Sequence, residues 1–280
     1  MAEKEADIIW QELDGVPFRL KAPFDFSFLA SWGKVFKVFD DQDSGNICFG
    51  TERAGRRFFL KFAGAPAARY EGSPADAVER LKAAVPVYRS LAHPNLIQLA
   101  DAFETGGGYL AVFCWTDGIC MGKQYPEARE KFLTLPAEKR LGVFDAILDF
   151  HICAAAKGYV AVDFYDGSIL YDFEQEKTVL CDIDFYQKAP FVNTMGRMWG
   201  SARFMSPEEF TQGAAIDEAT NVFTMGATAF ALFGGELDRS RELWTLGEGR
   251  YAAAFKAVSE KREERYPSIQ AFKATWDAAD

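Results

Sequence analysis

The chain is 280 residues long, 49% hydrophobic and 26% charged, which supplies a full-sized core and excludes wholesale disorder. Its 31 Lys and Arg face 41 Asp and Glu, a net charge of −10, which argues against nucleic acid or an anionic membrane as the main partner. Only two histidines are present, His93 and His151, so carboxylates and lysines are left to carry any chemistry.

The segments FKVF, NICFGTE and RRFFLKFAG read as short strands punctuated by DDQDSG and ERAG, the pattern of consecutive hairpins. Ser73-Pro74-Ala75-Asp76 predicts a helix N-cap, a proline at the first helical position and an acidic first turn. Behind it Val78, Leu81, Val85, Tyr88 and Leu91 recur at helical spacing, and Pro86 predicts a kink near Lys82. LIQLADAFETGGGYLAVFCW gives two more strands around a glycine turn. After Asp117-Gly118 the texture turns helical. LPAEKRLGVFDAILDFHICAAAKG reads as one long amphipathic helix with a glycine just past its end. GSILYD and KTVLCDID form a hairpin, EATNVFTMGATAFALFGG a buried helix, and RYAAAFKAV and PSIQAFKATWD two shorter helices. The expected architecture is α+β, with two lobes and a cleft: residues 1–118 as an N-terminal lobe and 119–280 as a C-terminal lobe.

Five scattered cysteines with no C-x-x-C pair argue against zinc or a disulfide framework and point to a reducing cytosol. The acidic start, MAEKEADIIWQELDG, has no apolar run of signal-peptide length, and TMGATAFALFGG is too short to cross a bilayer. A cytoplasmic protein without a membrane span is expected.

Carboxylates flank the predicted hairpin. Asp163 lies on a loop after the long helix and Asp182 at the end of the hairpin's second strand, so two acids 19 residues apart can meet at one end of it. Such a pair can bind Mg²⁺, or one acid can hold metal while the other accepts a proton from an attacking hydroxyl. Lys61 faces the same cleft if its alternation neighbours Phe59 and Ala63 point inward. A lysine, a metal-binding Asp and a base Asp are the parts phosphoryl transfer needs. Solvent-facing hairpin ends rich in Asp are the plainer alternative.

Taken in order, the chain resembles a eukaryotic-type serine/threonine protein kinase domain from about Phe36 to Trp276. Phe59-Leu60-Lys61 resembles the strand of the nucleotide-binding lysine, and His93-Pro94-Asn95-Leu96-Ile97 the H-P-N-I turn. Val162-Asp163 with Ser168-Ile169-Leu170 resembles the catalytic loop H-R-D-x-x-x-x-N-I-L. Asp182-Ile183-Asp184 stands where D-F-G belongs. Gly200 to Glu208, GSARFMSPE, is close to G-T-x-x-Y-M-A-P-E, and Asn221-Val222-Phe223-Thr224-Met225-Gly226 resembles the D-V-W-S-L-G of the helix that supports the catalytic loop. Arg265 falls where the family's arginine pairs with the glutamate matched by Glu208.

The resemblance implies a bilobal kinase-like fold, β-rich in its small N-lobe and helical in its larger C-lobe, that uses ATP and Mg²⁺. Lys61 would hold the α/β-phosphates. Asp163 would orient the substrate hydroxyl and accept its proton, while Asp182, Ser168 and Asp184 would serve the metal. Gly45 would lie at the phosphates, and Phe113, Cys114 and Thr116 would border the adenine. His93 is expected to cap or pack its turn, His151 to be a partly buried core residue rather than a ligand, and Thr194 and Ser201 are candidate phosphorylation sites.

The chain departs from the pattern at the chemistry. Asp40 and Gln42 replace the first two glycines of the phosphate loop, leaving Gly45. At ~5 Å and an effective dielectric of ~20, each inward carboxylate of Asp40, Asp41 and Asp43 would cost roughly 3 kcal/mol against a triphosphate. The helix position that should carry the lysine's glutamate partner is Ala84, and Glu79 is the one candidate left on that helix. Ala161 and Val162 replace the loop's His and Arg, Tyr165 its lysine, and Asp184 the D-F-G glycine. Loss of the arginine removes the contact for a phosphorylated activation segment. Three readings result: ATP- and Mg-dependent phosphoryl transfer to a protein Ser/Thr hydroxyl; a pseudokinase scaffold for a protein partner; and a small-molecule phosphotransferase, against which the FMSPE segment argues.

Overall fold

The alternation of apolar and polar residues breaks sharply in mid-chain, and the secondary structure follows it. The computed structural model describes residues 8–279, so the first seven residues of the acidic start lie outside the described residues. The N-terminal half is rich in β-sheet and the C-terminal half is helical, an α+β chain. Two compact units divide it, one running to Arg89 and resuming over Ile97–Thr116, the other built from Ser90–Leu96 and the chain from Asp117 onward.

The first unit opens with a hairpin of β1 (Ile9–Leu13) and β2 (Val16–Leu20) that the sequence reading did not foresee. Its turn is Asp14-Gly15, both at positive φ, the two-residue turn that matches strand twist. Five antiparallel strands follow in the order β3-β4-β5-β7-β6: β3 (Lys34–Phe39), β4 (Asn46–Arg53), β5 (Arg56–Ala63), β6 (Leu99–Thr105) and β7 (Gly108–Cys114). One face of this sheet carries Ile47, Phe49, Leu60, Phe62, Leu110 and Val112, and it packs with Phe18 and Phe26 into a phenylalanine core. Phe26 meets Phe18, Phe49 and Phe62 edge-on at 5.2–6.0 Å, the geometry ring quadrupoles favour. Helix α1 (Pro74–Ser90) starts at the expected proline and buries Ala77, Leu81, Ala84, Val85 and Tyr88. Pro86 sits on its exposed side, and the helix continues to Ser90.

In the second unit the turn His93–Leu96 docks on a hairpin strand. The Asn95 carbonyl accepts from the Leu180 N–H at 2.6 Å, and the His93 Nδ1 accepts from Asn95 N–H, its ring edge-on to Phe150. His93 therefore packs and caps its turn as expected. A short strand β8 (Ile119–Cys120) precedes α2 (Pro126–Leu133) and the long α3 (Ala137–Ala156). Then come β9 (Tyr159–Val160), the hairpin β10 (Ile169–Asp172) and β11 (Lys177–Leu180), and two-residue strands β12 (Gln187–Lys188), β13 (Phe191–Val192) and β14 (Ala215–Ile216). Strand β8 pairs with β10, β12 with β9 and β13 with β14. Helices α4 (Glu218–Phe233), α5 (Glu248–Ala257) and α6 (Ile269–Asp277) complete the unit.

Every residue of α4 from Thr220 to Phe233 is buried. Gly226 lets α5 approach, because a Cβ there would meet Ala257 at 2.7 Å. Beside α4 the Arg265 guanidinium, wholly buried, donates both Nη atoms to Glu208 at 2.7 and 3.0 Å. The partner expected for Arg265 is the one it has. Burial alone would raise the Glu208 carboxyl, but the bonds from Arg265 hold it below the usual range. Arg262, a third exposed, reaches the same carboxylate at 3.0 Å. No helix among the described residues is long and apolar enough to cross a membrane. Arg265→Ala is expected to cost about 3–5 kcal/mol by stranding a buried carboxylate, whereas Arg262→Ala costs under about 1 kcal/mol; urea midpoints of the two variants check the difference.

Candidate functional site

Two backbone arms carry the acids of the second unit, and each arm is fixed by groups other than the acids. Asn221, on α4, donates from Nδ2 to the Ala161 carbonyl at 2.8 Å and accepts the Ala161 N–H at 2.7 Å. One buried amide thus satisfies both backbone groups of a residue two positions before Asp163. The other arm leaves the β10–β11 ladder, in which Ile169 pairs with Leu180. The Cys181 N–H donates to the Ser168 carbonyl at 2.9 Å, which sets Ser168 across from the residue preceding Asp182. Pairing of β12 with β9 then draws the chain after Asp184 along the approach to Asp163. Gly200 comes close as well, since a Cβ there would lie 3.7 Å from the Asp163 Cα.

Asp163 and Asp182 both adopt left-handed backbone, at φ 62° and 58°. That region costs an L residue about 1 kcal/mol. Asp14, Ala54, Glu176 and Glu236 share it, but they occupy tight turns closed by antiparallel pairing. Neither acid sits in such a turn, and strain of this kind gathers at sites of function. Tyr165 lies with both acids. Burial first, then the charges of Asp182 and Asp163, push its phenol well above the usual tyrosine range, so it remains a neutral donor. The lysine that the resemblance expects there is replaced by a group with no charge to offer.

Mg²⁺ takes one or two carboxylates and completes its shell with water and phosphate oxygens. Among the described residues no three His, Cys, Asp or Glu side chains gather to hold a metal ion, so Asp163, Asp182 and Asp184 make no three-acid cage. The Ser168 hydroxyl, wholly buried, has no hydrogen-bond partner. That unspent oxygen beside the Asp182 arm, together with the Asp182 carboxylate, fits the modest demand of magnesium.

Asp166 is the functional-looking residue that sequence reasoning missed. It is 1% exposed and accepts three charge-assisted bonds of 2.8 Å, two from Arg203 and one from Arg129. Arg129 also pairs with Glu236, which Lys123 reaches at 3.0 Å. Three cations meet two anions here, the condition under which burial of charge is tolerated. The Gly200–Glu208 segment is thereby tied to the Asp163 loop through its own arginine, with no phosphate group involved. No pattern in GSARFMSPE marks Arg203 for this task.

In the first unit Lys61 stands on the sheet face opposite the phenylalanine core, in register with Cys48 and Ala111, and is buried. Glu79 is corrected: its side chain is three-quarters exposed and lies 3.5 Å from Lys82, so it offers no buried partner to Lys61. Gly45 has a packing role of its own. It is buried at φ 80°, and a Cβ there would lie 2.7 Å from the Tyr70 ring and 2.8 Å from Ala77, so the glycine serves packing on α1. The Cys114 N–H donates to the Gln98 carbonyl at 2.9 Å and the Trp115 N–H to the Arg57 carbonyl at 3.2 Å. Phe113 is buried against Tyr88 at 4.9 Å, and Thr116 ends the unit.

The acidic loop between β3 and β4 does not aim its charges freely. Arg19, from the N-terminal hairpin, donates to Asp40 from its backbone N–H at 2.7 Å and from its guanidinium at 2.9 and 3.1 Å. Burial pushes the Asp40 carboxyl up, and the Arg19 bonds overcome it to leave the group below its ordinary range. Asp41 pairs with Arg19 and with Arg69.

Behind the acids, His151 is fully buried on α3. Its Nδ1 lies 2.7 Å from the Ile147 carbonyl and its Nε2 2.8 Å from the Tyr186 hydroxyl. Burial pushes the imidazole down to about 4 from 6.5. As pH falls the unfolded chain takes up the proton first, so this stabilisation is complete above about 6.5 and lost as pH drops through 4. The full loss is about 3 kcal/mol; urea melts at pH 7 and pH 4 should show a stability drop smaller by that amount in His151→Gln than in the native chain.

No protein-family model matches the chain and no curated protein matches it, so the site stands on its own geometry.

Proposed function

We propose that the chain is a phosphotransferase of the protein-kinase type, moving a phosphoryl group from ATP to a protein serine or threonine hydroxyl with Mg²⁺ in the cytoplasm, and that its two units are the small and large lobes of that fold. The observation that carries this reading is the pair Asp163 and Asp182, both on left-handed backbone, on arms fixed by Asn221 and by the β10–β11 ladder, and both acting on one tyrosyl hydroxyl. Asp163 orients the acceptor hydroxyl and takes its proton, a role open to a positioned carboxylate. Asp182 and Ser168 hold the metal, which when bound offsets charge on the phosphates, and Lys61 meets the α/β-phosphates. The bidentate Arg265–Glu208 pair and the Asn221 amide lend support, each joining segments that the resemblance puts together.

A second reading, a pseudokinase scaffold, is favoured by the first unit. Gly45 is packed against Tyr70, the Cys114 N–H is committed, and Asp40 is held by Arg19. A thermal-shift titration separates the two. Saturation at 100 times the dissociation constant stabilises a protein by about 2.7 kcal/mol, so the first reading expects a clear upward shift with MgATP; no shift at millimolar nucleotide overturns it, and a shift without turnover leaves the scaffold. Labelled ATP gives the second check. Slow incorporation is expected in the native chain and none in Asp163→Asn, and equal signals would assign the activity to a contaminant.

A further inference from the structure

The two acid arms meet a third element, and one histidine touches both. The Ile147 carbonyl can only accept, so the proton of the neutral His151 ring sits on Nδ1 and donates there. Nε2 is then a bare lone pair, and the Tyr186 hydroxyl donates to it. Tyr186 closes the second arm, its N–H donating to the Ile183 carbonyl at 3.1 Å, so the turn that holds Asp182 and Asp184 ends on this ring. On the first arm Phe164, the residue after Asp163, lies edge-on to the same imidazole with ring centroids 4.4 Å apart. Both Tyr186 and His151 are buried, and the residues of α3 around them, Ile147, Leu148 and Phe150, have no exposure. The helix is a fixed reference, and the histidine is where both arms are referred to it.

We propose that His151 and Tyr186 are positioning residues that set the spacing of Asp163 and Asp182 by fastening both arms to α3. Neither touches the reacting atoms. The Tyr186 hydroxyl is spent on His151 at 2.8 Å, so the second arm is fastened to α3 directly. The functional part of this inference rests on the phosphotransfer reading, because it gives the spacing something to do. A misplacement of catalytic groups by about 1 Å can cost on the order of a hundredfold in rate.

The test uses the full chain and two readouts. Hydrogen–deuterium exchange is measured over residues 161–168 and 182–187, with Asn221–Phe233 of α4 as the internal reference. In Tyr186→Phe, which keeps the ring, exchange in both acid segments should rise about fivefold, the scale of one lost hydrogen bond, while α4 is unchanged. His151→Gln, whose amide can both donate to Ile147 and accept from Tyr186, should restore most of the protection lost in His151→Leu. Unchanged exchange in the acid segments, or an equal rise in α4, overturns the positioning role. If Tyr186→Phe does not fold, the comparison of Gln with Leu at position 151 decides the matter alone. Phosphoryl transfer is measured alongside. The variant should lose kcat by about tenfold or more with KM for ATP little moved. A native chain without nucleotide binding would sink the phosphotransfer reading and leave the exchange result to stand or fall by itself.

Discussion

A single buried amide governs the placement of the arm that carries Asp163. Within α4 the hydroxyls of Thr224 and Thr228 are spent on the carbonyls one turn back, and that of Thr220 on Glu208. Asn221 alone among these polar side chains reaches away from its helix to another segment's backbone, and it answers both groups of Ala161 at once. Were that pair absent, a buried N–H and a buried carbonyl would be orphaned, and the loop from Ala161 to Ser168 would lose its tie to the most deeply buried helix of the unit. Everything described for Asp163, Tyr165 and Asp166 depends on where that loop begins.

The buried ionisable groups of the second unit show two ways of meeting the same desolvation. Glu208 stays charged because Arg265 shares its burial. Glu209 has no such partner. Burial pushes it up to about 7 even though the Ser206 N–H and hydroxyl donate to it. His151 goes the opposite way and is kept neutral by the same cause. The acids proposed for chemistry belong to neither group, for Asp182 is exposed and Asp163 is half-buried.

Much of the architecture was legible because periodicity and turn chemistry agree along most of the chain. Strands β3 to β7, helix α1, the β10–β11 hairpin and the buried α4 all follow from hydrophobic spacing bounded by Gly, Pro and Asp. Helix α2 was not legible, because of its eight residues only Phe132 is buried and no stripe forms. The first hairpin escaped for a different reason. Its Asp-Gly turn was visible, but Trp10 and Glu12 are exposed and the strands gain their hold from Phe18 and Leu20 packing on a sheet that lies later in the sequence. That Lys61 lies on a strand, and that Asp163 and Asp182 lie on loops beside the β10–β11 hairpin, could be read from order and spacing. The contacts of Gly45, Cys114, Asp166 and His151 could not, because each is made with a residue distant in sequence: Tyr70, Gln98, Arg203 and Tyr186.

The grip of Arg19 on the β3–β4 loop has a graded character. Its bonds to Asp40 are partly shielded from solvent, whereas Asp41 and Arg69 are both more than half exposed. Mobile counterions weaken exposed pairs first and reach shielded ones far less. Rising ionic strength therefore slackens the tip of the loop at Asp41 while its root stays clasped to the amino-terminal ribbon, a tether with a yielding end and a stiff one.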